Sequence, residues 1–488
     1  MKSSEHCAVG DAATAGALVD VGGDCAEERC VLSYGDVVAL SGDFFTGSPG
    51  PASDDLFRLA AIPGKRGTTL GTRDEVVCAL KVMAVDGASA DARFEPGGEF
   101  SDFRFTATAA NTEVERRVRD RFLALATANG DHFVAPGRCD TAHCHKGPPP
   151  SRFESAVVAY HRLHEVALDE ACRLGRCRGD ESRAMAREAA AQHYLTDAFA
   201  AGHLRTPVTA IRHFWDHRYP WFWQSLQRKV AMDTALALRE LVRPARILPG
   251  GFLDRRVHAA VKARTSRFPR ITLGDLLARV FHDWDNTHGL TLQGGGLLFG
   301  DGLFEQGVGK ELAVAAVRSG IDDIEIAYRL GVSGSRLRGE ALYQRVRSST
   351  GAPNDAYRAE TRIPIPSPDN PAQNWRAVDA EALWSSPIVG STGTTVGMAV
   401  EETLRLGAEV SRRLDCLGPG VFEVPGLLGV PAVRRWAARK ACQAYHHGFI
   451  RGLAQDPKAI VLAVVNHEGS GGNRRAEPAV PLAGIIKN

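Results

Sequence analysis

Three residues of this chain have types and spacing suited to holding a metal ion: His193, Asp197 and His203, in the pattern H-x3-D-x5-H. Residues i and i+4 lie on one face of a helix, so His193 and Asp197 can reach the same ion. Gly202 is placed to end that helix, after which the chain turns and offers His203 from another direction. Twelve of the sixteen histidines fall between His132 and His288, so further ligands are sought there first. A catalytic zinc cluster needs imidazole and carboxylate donors converging from different elements, with a coordination position left to water. The plain alternative is an amphipathic helix carrying two surface histidines.

Other donors stand at places that a cluster of this kind can use. His132 follows Asp131 and precedes Phe133 at the end of a helical stretch, where Asp131 serves equally well as a cap for the next element. His164 shares a helix face with Tyr160 and reads as a ligand, as a donor behind one, or as an ordinary core or surface histidine. His282 shares a face with Asp285 and Asn286 at i+3 and i+4. Asp43 sits between Gly42 and the aromatic pair Phe44 and Phe45, where the small neighbour allows close approach to a metal; capping or surface exposure is the alternative. His213 and His217 share a face and rival His282 for a late ligand position.

Taken together, Tyr34-Gly35 with Gly42-Asp43-Phe44, Asp131-His132-Phe133, the His193–Tyr194–Asp197–His203 motif and the stretch from His282 to Leu290 run in order over about 260 residues. In that order and spacing the chain resembles a divergent branch of the zinc-dependent phospholipase C and P1/S1 nuclease superfamily. The resemblance implies a mainly α, multi-helical phospholipase C/P1 nuclease-like bundle. It implies two or three Zn2+ ions, held from among Asp43, His132, His164, His193, Asp197, His203, His282 and Asp285. The chain departs from the superfamily at three points: its turn carries Ala200, Ala201 and Gly202 where a Pro is usual, Asn286 stands where a carboxylate is expected, and no Trp precedes Trp215 to act as an N-terminal ligand. Asp285, one position earlier, is the expected substitute for the missing carboxylate.

The chemistry implied is phosphoric-ester hydrolysis by a metal-dependent phosphodiesterase. A carboxylate has two oxygens and bridges two ions, a role that falls to Asp197; Asp43 or Asp131 orients the water that attacks phosphorus in line. The expected substrate is a phospholipid or small phosphodiester, as for a phospholipase C. The stretch from His213 to Trp223 presents aromatics to a lipid interface or a nucleobase, or simply fills core. The alternatives are a P1-type nuclease and a non-catalytic metal-binding or scaffold protein on the same fold. A helical di-iron oxidase requires Glu-x-x-His pairs, and neither Glu165 nor Glu188 has a His three residues on.

The elements that must position these residues read as helices. A loose, Ala- and Gly-rich N-terminus over 1–30 leads to a helical metal-binding catalytic domain over 31–348 and a C-terminal helical extension over 349–488. Helices are predicted from Val31 to Phe45 (Ser33 as N-cap), Asp54 to Ile62, Asp74 to Val85, Thr112 to Ala128, Ser151 to Leu174, Glu181 to Ala201, after Trp223 toward Arg243, Leu273 to Asn286 and Lys310 to Val346. Two more are predicted from Val396 to Leu414 and from Ala432 to Gly452. Gly289 to Phe304 alternates Gly with apolar residues and reads as a small β-hairpin insertion.

Composition narrows the function classes. Hydrophobic residues make up 44% and charged residues 24%, the balance of an ordinary water-soluble globular protein. A net charge of +2 gives no electrostatic case for long nucleic acid or an anionic membrane surface. No apolar run approaches the ~18 residues that span a bilayer, and the N-terminus lacks the basic and apolar regions of a secretory signal. A cytoplasmic location is expected on that ground, or export by another route. The ten cysteines do not form a dense disulfide scaffold; Cys139 and Cys144, beside His143 and His145, read as reduced thiols, a loop-closing disulfide or a small zinc loop.

Overall fold

A computed structural model describes residues 1, 3–21, 31–45, 73–90, 114, 118, 122, 125, 129–134, 155–218, 220, 222–241, 250–265, 272–300, 302–349 and 362–370. The expected helices from Asp54 to Ile62, Val396 to Leu414 and Ala432 to Gly452, most of that from Thr112 to Ala128, and the Cys139–Cys144 loop lie outside these residues. The described chain is mainly α. Helices α1 (Ser3–Thr14), α2 (Tyr34–Leu40) and α3 (Arg73–Ala90) are followed by a 3₁₀ turn at Asn129–His132. Then come α4 (Ala156–Cys177), α5 (Ser182–Asp197), the short α6 (Ala201–Arg205), α7 (Val208–Arg218), α8 (Phe222–Leu241), α9 (Gly250–Thr265), α10 (Leu273–His288), α11 (Gly309–Val332) and α12 (Gly339–Ser349). Strands β1 (Leu18–Asp20) and β2 (Val31–Ser33) pair antiparallel, as do β3 (Leu290–Thr291) and β4 (Leu297–Leu298). The second pair is the hairpin that the glycine pattern predicts.

Helix α5 is the axis of the bundle. Nearly every residue from Ala184 to Asp197 is buried, because α2, α4 and α11 all pack on it. Five alanines, Ala184, Ala186, Ala189, Ala190 and Ala191, give its surface little relief, so neighbours approach closely on several sides. Around it Tyr34, Leu40, Phe44, Phe45, Leu195 and Phe199 form a continuous apolar core.

Several boundaries differ from the periodicity: the helix expected from Val31 to Phe45 is strand β2 followed by α2 over Tyr34–Leu40 alone, and the one expected from Lys310 to Val346 is broken after Val332 into α11 and α12. Residues 3–14, expected as a loose segment, form α1, with His6, Val9 and Gly10 buried and Cys7 and Ala13 packed on the core. Its buried stripe is built of His, Val, Gly and Ala, which hydropathy alone does not mark as a core face. The helix expected to run to Ala201 ends at Asp197. There Ala198, Phe199 and Ala200 donate to the carbonyls of Leu195, Thr196 and Asp197, bonds of the tighter i to i−3 kind, at 3.1, 3.0 and 3.0 Å. Gly202 therefore lies inside α6 and is not the helix stop.

Helices α4 and α11 cross where Gly175 meets Gly331. A Cβ on Gly331 falls 2.1 Å from the Cys172 carbonyl oxygen, and one on Gly175 falls 2.1 Å from the Tyr328 carbonyl oxygen. Backbone cannot yield as a side-chain tip can, so this crossing requires glycine. Ala is otherwise the better helix former by about 1 kcal/mol. Gly331→Ala is therefore expected to destabilise the protein by about 1–3 kcal/mol through overpacking, read as a lower denaturant midpoint. An unchanged or raised midpoint contradicts the close crossing.

Candidate metal centre

The centre is assembled from six elements around one carboxylate. Asp197, at the C-terminal end of α5, is wholly buried. Its Oδ1 lies 2.7 Å from His203 Nδ1 on α6, 3.3 Å from His6 Nε2 on α1 and 3.2 Å from the amino nitrogen of Met1. Its Oδ2 lies 2.8 Å from Nδ1 of His132, on the 3₁₀ turn, and 3.6 Å from His193 Nε2 one turn back along α5. The His6 and His193 rings stack with centroids 4.2 Å apart, and His132 meets His193 edge-on at 4.9 Å.

Two of these rings have their tautomers set by partners outside the cluster. His193 Nδ1 lies 2.9 Å from the Val38 carbonyl, which can only accept, so Nδ1 carries the proton and Nε2 points its lone pair inward. Thr196 Oγ1 donates to the Gln192 and His193 carbonyls at 2.8 and 2.9 Å. It therefore accepts from His6 Nδ1 at 2.6 Å. His6 Nε2 is buried without a hydrogen-bond partner among the described residues and faces Asp197 Oδ1 at 3.3 Å.

Asp43 reaches the cluster from the turn after α2. Gly42, at φ +83°, brings that turn against the histidines; a Cβ there falls 2.2 Å from His193 Cδ2 and 3.0 Å from His132 Cε1. Asp43 Oδ2 accepts from Ser3 Oγ. Two donor groups result, His6 with His193 and Asp197, and Asp43 with His132 and His193, and within each the ligand atoms lie within 4.8 Å of one another.

Burial and neighbouring charge set the protonation states. Burial works against ionising Asp197, but His203, the Met1 ammonium, His6 and His132 outweigh it and hold the carboxyl well below its usual range. Burial pulls His132 down, yet Asp197 lifts it to about 9, with Asp131 and Asp43 adding to the effect. Burial and the Met1 ammonium push His203 down to about 3. Burial, followed by His6, holds His193 well below the usual histidine range. Burial raises the Asp43 carboxyl, while His6 and His132 pull the other way.

Of the residues singled out from the sequence, His132, His193, Asp197 and His203 come together, with Asp43 beside them. Asp131 is buried next to His132 in the chain and adds negative potential to that ring. His282 stands at the outer edge, its ring 4.8 Å from that of His203, with Phe133 against both. Asp285 does not substitute for the missing carboxylate. It faces away and forms a two-pronged buried ion pair with Arg205, in which Arg205 Nε donates to Oδ2 at 2.9 Å and Nη2 to Oδ1. The amide of Asn286 is the group beside His282. His6 was not singled out from the sequence; its i+3, i+4 and i+7 relation to Val9, Gly10 and Ala13 is the signal that places it on a buried face.

His164 also stands apart from the expected cluster. It belongs to a second buried group on the other side of α5, where its Nδ1 pairs with Glu188 Oε2 at 2.6 Å and its Nε2 lies 3.5 Å from Asp323 Oδ2. Arg362 donates to Asp323 Oδ2 and, at 2.8 Å, to the Tyr160 hydroxyl. Gln192 donates to Glu188 at 2.9 Å and accepts from the Tyr34 hydroxyl at 2.8 Å. This group ties α4, α5 and α11 together.

No protein-family model, curated protein or solved structure matches the chain. Among the described residues no helix is long and apolar enough to cross a membrane.

The His164 group gives a pH prediction. Burial lowers its pKa, but Glu188 and Asp323 outweigh that and lift it from 6.5 to about 9. A raised folded-state pKa means that the stabilisation is fully present below about 6.5 and is lost as pH rises through about 9. Melting temperature is expected to fall between neutral pH and pH ~10. His164→Gln should be less stable at neutral pH and show a flatter fall. An equal fall in both proteins contradicts the assignment.

Proposed function

We propose that the chain is a zinc-dependent phosphoric-ester hydrolase acting on a phospholipid or small phosphodiester. The observation that carries the reading is the convergence of His6 Nε2 and His193 Nε2 on Asp197, with the outer nitrogen of each ring held by a hydrogen bond. The donors fit the ion. They are imidazole and carboxylate, brought from separate elements, with the outer ring nitrogens of His6 and His193 held by hydrogen bonds as metal-ligating histidines are. His132 and His193 with Asp197 would hold one ion and His6 with Asp197 a second, with Asp43 beside them. Zinc supplies Lewis-acid polarisation of a phosphoryl oxygen and makes water more acidic near neutral pH.

The chain's own groups do the rest. Asp197 has both oxygens engaged by different histidines and fixes the spacing of the donors. Ser3 occupies Oδ2 of Asp43, leaving Oδ1 to take the proton of the attacking water. Water oxygen bonds to phosphorus as the bond to the departing alkoxide breaks on the opposite side. Near-neutral net charge favours a lipid or small diester over long nucleic acid.

Deep burial of the donors, with His6, His193 and Asp197 wholly enclosed, favours a second reading in which the same helices hold metal without catalysis. Hydrolysis of a chromogenic phosphodiester, phosphatidylcholine vesicles and single-stranded DNA by the zinc-loaded protein separates the two. On the hydrolase reading at least one of these is cleaved, and Asp197→Asn loses bound zinc and on the order of 100-fold of the rate. An Asp197→Asn protein that keeps its zinc and its rate contradicts the proposal. Zinc bound by the native chain with none of the three cleaved favours the scaffold.

A further inference from the structure

The chain's net charge of +2 is not spread evenly. Residues 222–265, which carry α8 and α9, hold nine Lys and Arg against three Asp and Glu. That surplus of six leaves the rest of the chain net acidic. Pairing inside the segment, as between Arg239 Nη2 and Asp254 Oδ1 at 2.9 Å, joins the two helices without changing the surplus. Arg228 on α8 and Arg255, Arg256 and Lys262 on α9 are exposed. The expectation drawn from whole-chain charge therefore does not extend to this helix pair.

On α8 the basic groups share a face with exposed apolar side chains. Gln224, Arg228, Met232 and Leu236 follow one another at i+4, so they form one stripe, and all four are exposed. Arg239, three residues past Leu236, extends that stripe. Gln227, Ala231 and Ala235 lie one residue earlier in each turn and are buried, so α8 is seated by the neighbouring stripe. Met232 and Leu236 stay 46% and 53% exposed between the two arginines. An apolar pair flanked by guanidinium groups on a surface helix fits the boundary of a bilayer. Its apolar ends enter the acyl edge while the arginines meet anionic headgroups. Nucleic acid would use the same charge but gives Met232 and Leu236 nothing to enter.

We propose that α8 and α9 form a docking surface for an anionic phospholipid bilayer, on which they lie without spanning it. The surface stands independently of the metal centre; combined with the hydrolase reading, it makes a bilayer the source of the diester. The test is co-sedimentation of the full-length chain with vesicles of phosphatidylcholine alone and of equal parts phosphatidylcholine and phosphatidylserine, at low and high salt. Binding is expected to the mixed vesicles, to weaken at high salt and to be slight on phosphatidylcholine alone. Met232→Asp with Leu236→Asp should lose on the order of 100-fold in partition at an unchanged melting temperature. Arg255→Glu should weaken binding to the mixed vesicles alone. No binding, equal binding to both vesicles, or full binding by the Met232→Asp/Leu236→Asp protein overturns the proposal. Single-stranded DNA bound equally by the native and the doubly substituted chain, in place of vesicles, makes this a nucleic-acid surface and also overturns it. Failure to dock leaves the metal-centre reading standing, and docking without hydrolysis leaves this surface standing.

Discussion

A carboxylate sealed from water must be neutralised where it stands, and in this protein that carboxylate is Asp197. Its environment comes from five directions: the start of the chain, α1, the Asn129–His132 turn, its own helix and α6. Removing it would leave several buried nitrogens without a counter-charge, at a cost of several kcal/mol. The architecture around it follows from that demand. Helix α5 stops at Asp197, α6 begins four residues later and returns His203 to the same oxygen, and Val134 binds the His203 carbonyl at 2.9 Å to fix the 3₁₀ turn against it.

Helix α5 carries a second polar face. Glu188 and Gln192 precede His193 and Asp197 by five residues each, a rotation of about 140° around the helix. One face therefore looks into the histidine cluster and the other into the His164–Asp323–Arg362 group. Between them lies a surface of alanine, which allows α2, α4 and α11 to hold the helix rigidly. The two groups have different work. The His164 group has opposite charges already paired within protein and holds helices together. The Asp197 group brings four histidines onto one carboxylate with Asp43 beside them, a donor set suited to an ion.

Much of this was legible in residue spacing. The i, i+4 relation of His193 and Asp197 and the order of Asp43, His132 and His203 point to a common site, and the structure places them together. The hairpin after α10 follows from its glycines. What spacing does not reveal is direction in space. Asp285 and Asn286 are neighbours on one helix, and only tertiary structure shows that Arg205 takes the acid while the amide turns to His282. His164 has the right type and a helical neighbour in Tyr160, yet its helix faces the wrong side of α5. His6 is hidden for the opposite reason: α1 is short and weakly patterned, and its buried stripe includes the histidine itself.

A zinc K-edge X-ray absorption spectrum of the zinc-loaded protein tests the central claim most directly, because it reads the atoms around the ion. The account predicts a shell of nitrogen and oxygen at about 2.0–2.1 Å with the multiple scattering of imidazole and no sulfur. A sulfur shell at about 2.3 Å would contradict it, placing zinc on cysteines and leaving the histidine cluster a purely structural core.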